Sequence, residues 1–205
     1  VGAADAATIN VPAGKLVPGS QTWTTGNEYI LQGFVYVMPG ETLTIQPGVV
    51  VKGVAGSGVV GALDFGALFV TRGATIDAQG TKGNPIIFTA AVDDLSDPAD
   101  VGPYTRGLWG GLVIFGNTVI NSAVNNAGHA AAPKYEVYEG LPDTVIDGVN
   151  VHRYGGNNDA DNSGTLRYIS LRHGGNKLSA DKEINGLSLG AVGSGTTIEF
   201  VEVYG

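Results

Sequence analysis

The chain has 205 residues, which is enough for one domain with a continuous apolar core. Its 33 glycines and a charged fraction of only 15% favour strands and turns, and the lack of cysteine excludes a disulfide framework and a thiolate metal site. The net charge of −8 argues against a nucleic-acid partner, and the apolar runs are too short for a membrane span.

Segment 1–27 is predicted to form an N-terminal arm that precedes a folded domain, segment 28–205. Within this arm, Thr8, Ile9, Asn10 and Val11 form a strand candidate that has no local partner. Segment 1–7 lacks the charged and apolar regions of a signal peptide, as the mature form of a secreted protein also would. The scarcity of lysine and the abundance of glycine, threonine, asparagine and valine favour a secreted protein, either extracellular or at the cell surface.

Short segments of alternating apolar residues recur from Gly33 onward. A first repeat aligns segment 43–53 with segment 68–78, so that Leu43 matches Leu68 and apolar positions alternate in the same way on both sides of a turn. A unit of roughly 20–30 residues that buries its apolar face only against a copy of itself is typical of a solenoid. The sequence therefore predicts an all-β, right-handed parallel β-helix (a β-solenoid) without long helices, the hand being that of parallel crossovers.

Two segments interrupt this pattern and are predicted to be inserted loops, residues 90–106 and residues 121–163. A second repeat follows, in which segment 166–171 matches segment 198–203 position for position. Segment 184–189 is predicted to supply another wall of the same coil. Stacking in this register would pair Arg167 with Glu199 and Tyr168 with Phe200, which are favourable neighbours on adjacent strands.

The chain contains, in order, LTIQPGVVVKG, NPIIFTA, RGLWGGLVIFG, EGLP, YGGNNDADNSGTLRYISLRHGG and EINGLSLGAVGSGTTIEFVEVYG. These segments and their order resemble a family of secreted bacterial right-handed parallel β-helix proteins found at cell surfaces. The resemblance extends from about residue 28 onward and implies a fold and a secreted location, without catalytic residues. Members of that family continue past a segment like Val201–Tyr204 into further coils, so a fragment and a shortened subunit both stay open.

The polar run of residues 159–164 has the spacing of a calcium loop. Asp159, Asp161 and Ser163 stand at alternate positions before a glycine, as in loops that wrap a hard cation, but the downstream glutamate of an EF-hand is missing. The alternative is a turn in which Asp161 and Ser163 bond backbone amides at the start of the next strand. The sequence favours the turn, with a structural calcium ion as the second possibility and no other cofactor.

Four carboxylates, those of Asp93, Asp94, Asp97 and Asp100, lie close together in the first inserted loop. They could form a second calcium loop or an acid pair for glycoside cleavage, and such a pair requires two carboxyl groups held about 5–10 Å apart across a groove. Because nothing in the sequence fixes these four in place, the loop is predicted to be solvated and without a catalytic role.

Arg167 and Arg172 are the candidates for a catalytic base. Similarity of the fold to pectate lyases implies this role, since those enzymes place clustered acids for calcium beside an arginine or lysine. The second repeat instead gives Arg167 a structural partner in Glu199. The histidines at 129, 152 and 173 do not have a metal-ligand spacing. We therefore expect no catalytic residue.

Three classes of function remain: a structural or adhesive protein that self-associates, a polysaccharide-binding module, and a polysaccharide lyase or hydrolase. Aromatic residues at 23, 29, 34, 36, 135, 138 and 154 would serve the second class if they were exposed. We expect the first, non-catalytic class, because a solenoid exposes apolar side chains and strand edges at an uncapped end.

Self-association is expected to proceed head to tail by strand addition, giving an extracellular fibre or surface assembly. The chain itself would then be the main partner, and extracellular polysaccharide another. The residues expected to form the contact are Thr8, Ile9, Asn10 and Val11 at one end and Ile198, Phe200, Val201 and Val203 at the other.

Overall fold

A computed structural model describes residues 7–121 and 134–205 of the chain. Residues 1–6 of the predicted arm and residues 122–133 of the second predicted insertion, with His129, lie outside the described residues. The described ranges contain 20 strands and no helix. Accordingly, they include no helix long and apolar enough to cross a membrane.

The strands wind into a coil that places successive strands on three walls, here named A, B and C. Wall A contains β1 (Thr8–Val11), β4 (Glu28–Leu31), β7 (Val50–Gly53) and β10 (Ile86–Ala90). Wall B contains β2 (Gly14–Lys15), β5 (Phe34–Val37), β8 (Ala67–Val70), β11 (Gly111–Phe115) and β19 (Leu187–Gly190). Wall C contains β3 (Gln21–Trp23), β6 (Thr42–Ile45) and β9 (Thr75–Gln79).

Strands on one wall pair in parallel from coil to coil, and the chain visits the walls in the order A, B, C before it returns to A. Because parallel neighbours need a crossover between them, this order winds the chain around a common core. The prediction of an all-β parallel β-helix is confirmed.

Two long strands bridge walls C and A, β16 (Gly164–Arg172) and β20 (Thr197–Tyr204). The first half of β16 pairs with β9, and its second half pairs with β10. Each long strand turns the corner at a residue with left-handed backbone, Tyr168 with φ 49° and Phe200 with φ 53°. The two rings stack with their centroids 4.6 Å apart, so the corners of successive coils lie directly above one another.

The core is formed by columns of inward-facing side chains, because alternate residues of a strand point to opposite faces. Most of these side chains are fully buried, and each then stabilises the fold by about 1.5–3 kcal/mol. In register order, the columns contain Ile9, Tyr29, Val51, Phe88, Leu171 and Val203 on wall A, Val37, Val70, Ile114 and Leu189 on wall B, and Trp23, Ile45, Ala78, Leu166 and Ile198 on wall C.

Wall B is buried on both of its faces in β5, β8 and β11. Its outward side chains, which include Phe34, Tyr36, Phe69 and Phe115, form a second apolar cluster with residues of the segment 134–163. Two short hairpins occur in that segment, and they contain β12 (Glu136–Val137), β13 (Val145–Ile146), β14 (Val149–Asn150) and β15 (Arg153–Tyr154). A third hairpin, of β17 (Asn176–Ser179) and β18 (Lys182–Ile184), precedes β19.

The two predicted repeats differ in their outcome. The second repeat is confirmed, because Leu166 pairs with Ile198 and Leu171 pairs with Val203. The register of the first repeat is wrong, because Leu43 pairs with Ile76 and not with Leu68. The segments that the first repeat aligns lie on different walls. The strands of all three walls show similar apolar alternation. The sequence of a strand therefore matches that of the next strand in the same coil as well as that of its true partner in the next coil.

The strand Thr8–Val11 has a local partner, so the prediction of an unpaired strand is wrong. It pairs residue by residue with Glu28–Leu31, and Thr8 lies opposite Glu28. β2 and β3 pair with β5 and β6 in the same way. Residues 8–23 therefore lie in the first coil of the β-helix and place Trp23 in its core.

Candidate functional site

The last coil leaves one end of the core uncovered. Leu189, Ile198 and Val203 each end the core column of one wall, and their exposed fractions are 45%, 36% and 63%. The column residues one coil earlier, by contrast, are buried, namely Ile114, Leu166 and Leu171. This end of the molecule therefore presents an aliphatic side chain from every wall.

Strand β20 borders this open end. It pairs with β16 along one edge, and no other described strand pairs with it. Phe200 is 60% exposed although its ring stacks on Tyr168, and Val201 is half-buried. The four C-terminal residues predicted for self-association thus lie on one strand at the open end.

The opposite end of the coil is better covered. Thr8, Ile9 and Asn10 are exposed, whereas Val11 is buried. Trp23, whose ring stacks on Tyr29 at 4.6 Å, ends the wall C column at this side and is fully buried. β1 pairs with β4 on one edge, and no other described strand pairs with it. The two predicted sets of association residues therefore lie at opposite ends of the molecule.

The two ends also differ in charge. β20 carries Glu199 and Glu202 and no basic residue, while β1, β2 and β3 carry Lys15 and no acidic residue. Glu199 is 3.4 Å from the guanidinium of Arg167 in the preceding coil, which confirms the predicted ladder.

The side chains of the predicted calcium loop bond to protein groups. Asp159 accepts hydrogen bonds from Thr118 Oγ1 and from the amide of Val119, and Asp161 accepts one from Ser163 Oγ at 3.2 Å. Among the described residues, no group of three or more histidine and carboxylate side chains is placed to hold a metal ion.

The predicted turn forms with different side chains. The amides of Ala160 and Gly164 are bonded by Asn158 and Asn162, at 3.2 and 2.8 Å, and not by the predicted Asp161 and Ser163. The loop is further tied to the following coil, because the backbone carbonyl of Asp161 accepts a bond from Gly195.

A cavity of about 230 Å³ lies between the first inserted loop and the last two coils. The loop contributes its four carboxylates, and the coils contribute Arg172, His173, Glu202 and Tyr204. Arg172 pairs with Tyr204 in register, and Glu202 pairs with Ser170, so the outward side chains of two successive coils form the floor under the loop.

The four loop carboxylates are fixed, which corrects the prediction of an unconstrained loop. Thr89 Oγ1 donates to Asp93, which is only 6% exposed, and the amide of Asp94 donates to Asp100. The amide of Ala99 donates to Asp97 at 2.9 Å. Hydrogen bonds from Ser96 hold the pKa of Asp94 below its usual value, so this carboxylate is ionised at neutral pH.

His173 lies against this cavity with one defined tautomer. Its Nδ1 is 2.7 Å from the carbonyl oxygen of Thr105, and since a carbonyl can only accept, Nδ1 carries the proton. In this tautomer the lone pair lies on Nε2, which has no hydrogen-bond partner among the described residues. The neighbouring Arg172 donates from Nε to Ser170 Oγ at 3.0 Å.

The model of the family described as "Pectate-lyase like beta helix domain" matches residues 14–205. The chain belongs to this family. Membership establishes a parallel β-helix domain and is compatible with both enzymatic and non-enzymatic functions. No curated protein and no solved structure matches the chain.

In this pectate-lyase-like β-helix domain, the two candidate arginines have different surroundings. Arg167 is half-exposed, lies near Glu199 and sits 5.6 Å from the ring of Phe200, so its described contacts are those of the ladder. Arg172 lines the cavity beneath the acidic loop. Sequence reasoning missed this pairing because residues 93–100 and 172–204 meet only through the register of the coils.

The other described histidine of the domain is structural. His152 is buried in the second apolar cluster, where its Nε2 accepts a hydrogen bond from Tyr36 Oη at 2.9 Å and its Nδ1 donates to the carbonyl of Pro142. Burial lowers the pKa of His152 and raises that of Tyr36. Four of the seven aromatic residues considered for a sugar platform are buried, namely Trp23, Tyr29, Phe34 and Tyr36.

Proposed function

We propose that this domain is a non-catalytic structural or adhesive protein that associates end to end outside the cell. The observation that carries the proposal is the open end of the core, where Leu189, Ile198 and Val203 end their columns in solvent. Large exposed apolar groups beside an edge strand mark a surface that another chain can cover.

We infer that the first coil of a second copy covers that end by strand addition. Glu202–Tyr204 and Thr8–Asn10 hold equivalent positions on wall A, and each segment already pairs in parallel on its other edge. Parallel addition of β1 to β20 would continue the alternation of inward and outward side chains. Val203 would then meet Ile9, an exposed residue of the same core column.

Charge favours this head-to-tail contact over a contact between two like ends. Two C-terminal ends facing each other would bring Glu199 and Glu202 of one copy close to the same residues of the other, which is unfavourable. The N-terminal strands carry no carboxylate, and their one lysine, Lys15, forms an ion pair with Asp147, so this end lacks the repulsion between carboxylates. Because a head-to-tail contact joins two different surfaces, it propagates into a filament unless the rotation closes a ring.

Sedimentation and negative-stain electron microscopy across a range of concentrations test the proposal. The parent chain is expected to form polymers, whereas Val203→Asp should raise the concentration at which they form by at least about tenfold, because the contact would bury an unpaired charge. Val59→Asp is the matched control, since Val59 is 65% exposed and lies in a distant loop. A parent chain that stays monomeric at its highest soluble concentration, or equal effects of both substitutions, would contradict the proposal.

A further inference from the structure

We propose that the cavity beneath the acidic loop binds a protonated amino sugar of an extracellular polysaccharide. The cavity is bounded by the loop carboxylates on one side and by Arg172, His173, Glu202 and Tyr204 on the other. It lies on the flank of wall A, so a ligand there does not compete with a second copy at the open end. Glu202 and Tyr204 face outward, while Val203 between them faces the core.

The carboxylates are organised for a ligand before it arrives. In each of Asp93, Asp94, Asp97 and Asp100, one oxygen accepts a hydrogen bond from the loop or from Thr89. The second oxygen of each accepts no hydrogen bond within the described residues. Ordering these side chains therefore costs little on binding, and one acceptor per carboxylate stays available.

His173 supplies an acceptor of a different kind. The residue is only 3% exposed, its Nδ1 proton is committed to Thr105, and it lines the cavity. Among the described residues, every fully buried polar side-chain atom has a hydrogen-bond partner. Because Nε2 of His173 has no partner, it belongs to the small accessible part of this residue. A lone pair without a protein partner in so buried a residue favours a ligand that brings a hydrogen-bond donor to it.

The charge of the lining selects the class of ligand. Five carboxylates, those of the four aspartates and Glu202, stand against the single guanidinium of Arg172 among the lining residues. Such a site repels the uronates of an acidic polysaccharide and attracts an ammonium group. Because carboxylates and the Nε2 lone pair only accept, the ligand must be rich in donors, as an ammonium with neighbouring hydroxyls is.

The size of the cavity agrees with a sugar ring. Its volume of about 230 Å³ is below the roughly 300–1,000 Å³ of pockets for drug-sized ligands. The cavity therefore has the size for a single sugar ring with its amine. Tyr204, which is 39% exposed, provides an aromatic surface at its border for the apolar face of the ring.

Titration calorimetry with four probes tests the proposal, at a pH at which glucosamine carries its proton. A glucosamine tetramer is expected to bind at least about tenfold more tightly than an N-acetylglucosamine tetramer or a galacturonate tetramer, and its affinity should fall as salt rises. Spermidine, which has charge without hydroxyls, should bind more weakly than the glucosamine tetramer. Equal or stronger binding of any of the other three probes would overturn the assignment, as would the absence of glucosamine binding.

The double substitution Asp94→Asn and Asp97→Asn locates the site. Each asparagine keeps an oxygen for the hydrogen bonds from Ser96 and Ala99, so the loop should stay folded while two charges are removed. Affinity for the glucosamine tetramer should fall at least about tenfold. Asp181→Asn, at an exposed position on the β17–β18 hairpin, should leave it unchanged. An unchanged affinity in the double variant would contradict the site. Performing the titrations in the Val203→Asp background separates this result from end-to-end association.

Discussion

Individual side chains of the ladder between β16 and β20 differ in how much stability they provide. Arg167 and Glu199 are each about half-exposed, with side-chain exposures of 45% and 48%, so their ion pair contributes about 0.2–1 kcal/mol. Ile169 is only 2% exposed and lies next to the corner residue Tyr168. Val201, its partner in register, is half-buried, because the next position along the axis is open.

Substitutions in this ladder should therefore have unequal effects. Arg167→Ala is expected to change the free energy of unfolding by less than about 1 kcal/mol. Ile169→Asp should lower it by at least about 3 kcal/mol, because an unpaired charge would be buried in the core. Val201→Asp should have an intermediate effect. Denaturant unfolding followed by circular dichroism measures all three, and a mild effect of Ile169→Asp would show that its register is wrong.

The buried pair of His152 and Tyr36 makes stability depend on pH. Burial lowers the pKa of His152 below its ordinary value of 6.5, so the folded protein keeps the ring neutral where the unfolded chain takes up a proton. The unfolded state then binds more protons below about pH 6.5, and stability falls as pH falls through this window.

We expect the free energy of unfolding to decrease between pH 7.5 and pH 5.5 because of this histidine. His152→Gln keeps a side chain that can hydrogen-bond Tyr36 but does not titrate. Its unfolding free energy should therefore depend less on pH over the same range. If both proteins show the same slope in denaturant titrations at the two pH values, the coupling does not come from His152.

At the scale of the strands, the walls differ in how many faces they bury. Wall C has one buried face: Ile76 is fully buried, while the adjacent Asp77 is half-exposed and accepts a hydrogen bond from Gln79. In wall B, Leu68 faces the coil interior and Phe69 faces the outer cluster, and both are fully buried.

Alanine substitutions in neighbouring positions should reveal this difference. In wall B, Leu68→Ala should cost about 2–5 kcal/mol of stability and Phe69→Ala about 3–5 kcal/mol, because each leaves a cavity. In wall C, Ile76→Ala should also cost about 2–5 kcal/mol, whereas Asp77→Ala should stay within about 0.5 kcal/mol. Unfolding free energies provide the comparison, and a nearly neutral Phe69→Ala would mean that the outer cluster does not stabilise the fold.

The elements could be predicted from the sequence where two segments hold the same position in successive coils. Alternation in segments 166–171 and 198–203 gave the correct register because both are long strands that turn the same corner. The first repeat failed because its two segments lie on different walls, and a loop lengthens the coil that separates Val50 from its true partner Ile87. Alternation identifies a strand but not its wall, and wall identity depends on the lengths of the loops between strands.

The candidate cavity could not be predicted for the same reason. Its two sides are far apart in the sequence, and they meet because Ile87 pairs with Ser170 after a long intervening segment. The acidic loop was visible as a cluster of carboxylates, and Arg172 was visible as a candidate base. Their proximity depends on the register of wall A, which no short motif in either segment specifies.

At the scale of the whole molecule, the two ends of the coil are not equivalent. Every wall ends in an exposed aliphatic residue at the C-terminal coil, while at the other end Leu16 and Trp23 are buried and Ile9 is exposed. In a solenoid each coil is stabilised by its neighbours, so a coil with one neighbour opens most easily. The C-terminal coil should therefore be the least protected part of the β-helix in the monomer.

Amide hydrogen exchange measured at low and high protein concentration tests the mode of association. Head-to-tail addition should slow exchange in both segments 8–11 and 197–204 as concentration rises, because the free edges of β1 and β20 would pair with each other. Contact between two C-terminal ends would slow exchange in segment 197–204 alone. Segment 86–90, paired on both edges in the centre of wall A, should be protected at every concentration, and the loop 57–62 at none. Unchanged exchange in both end segments, in samples whose sedimentation shows polymers, would place the contact elsewhere on the molecule.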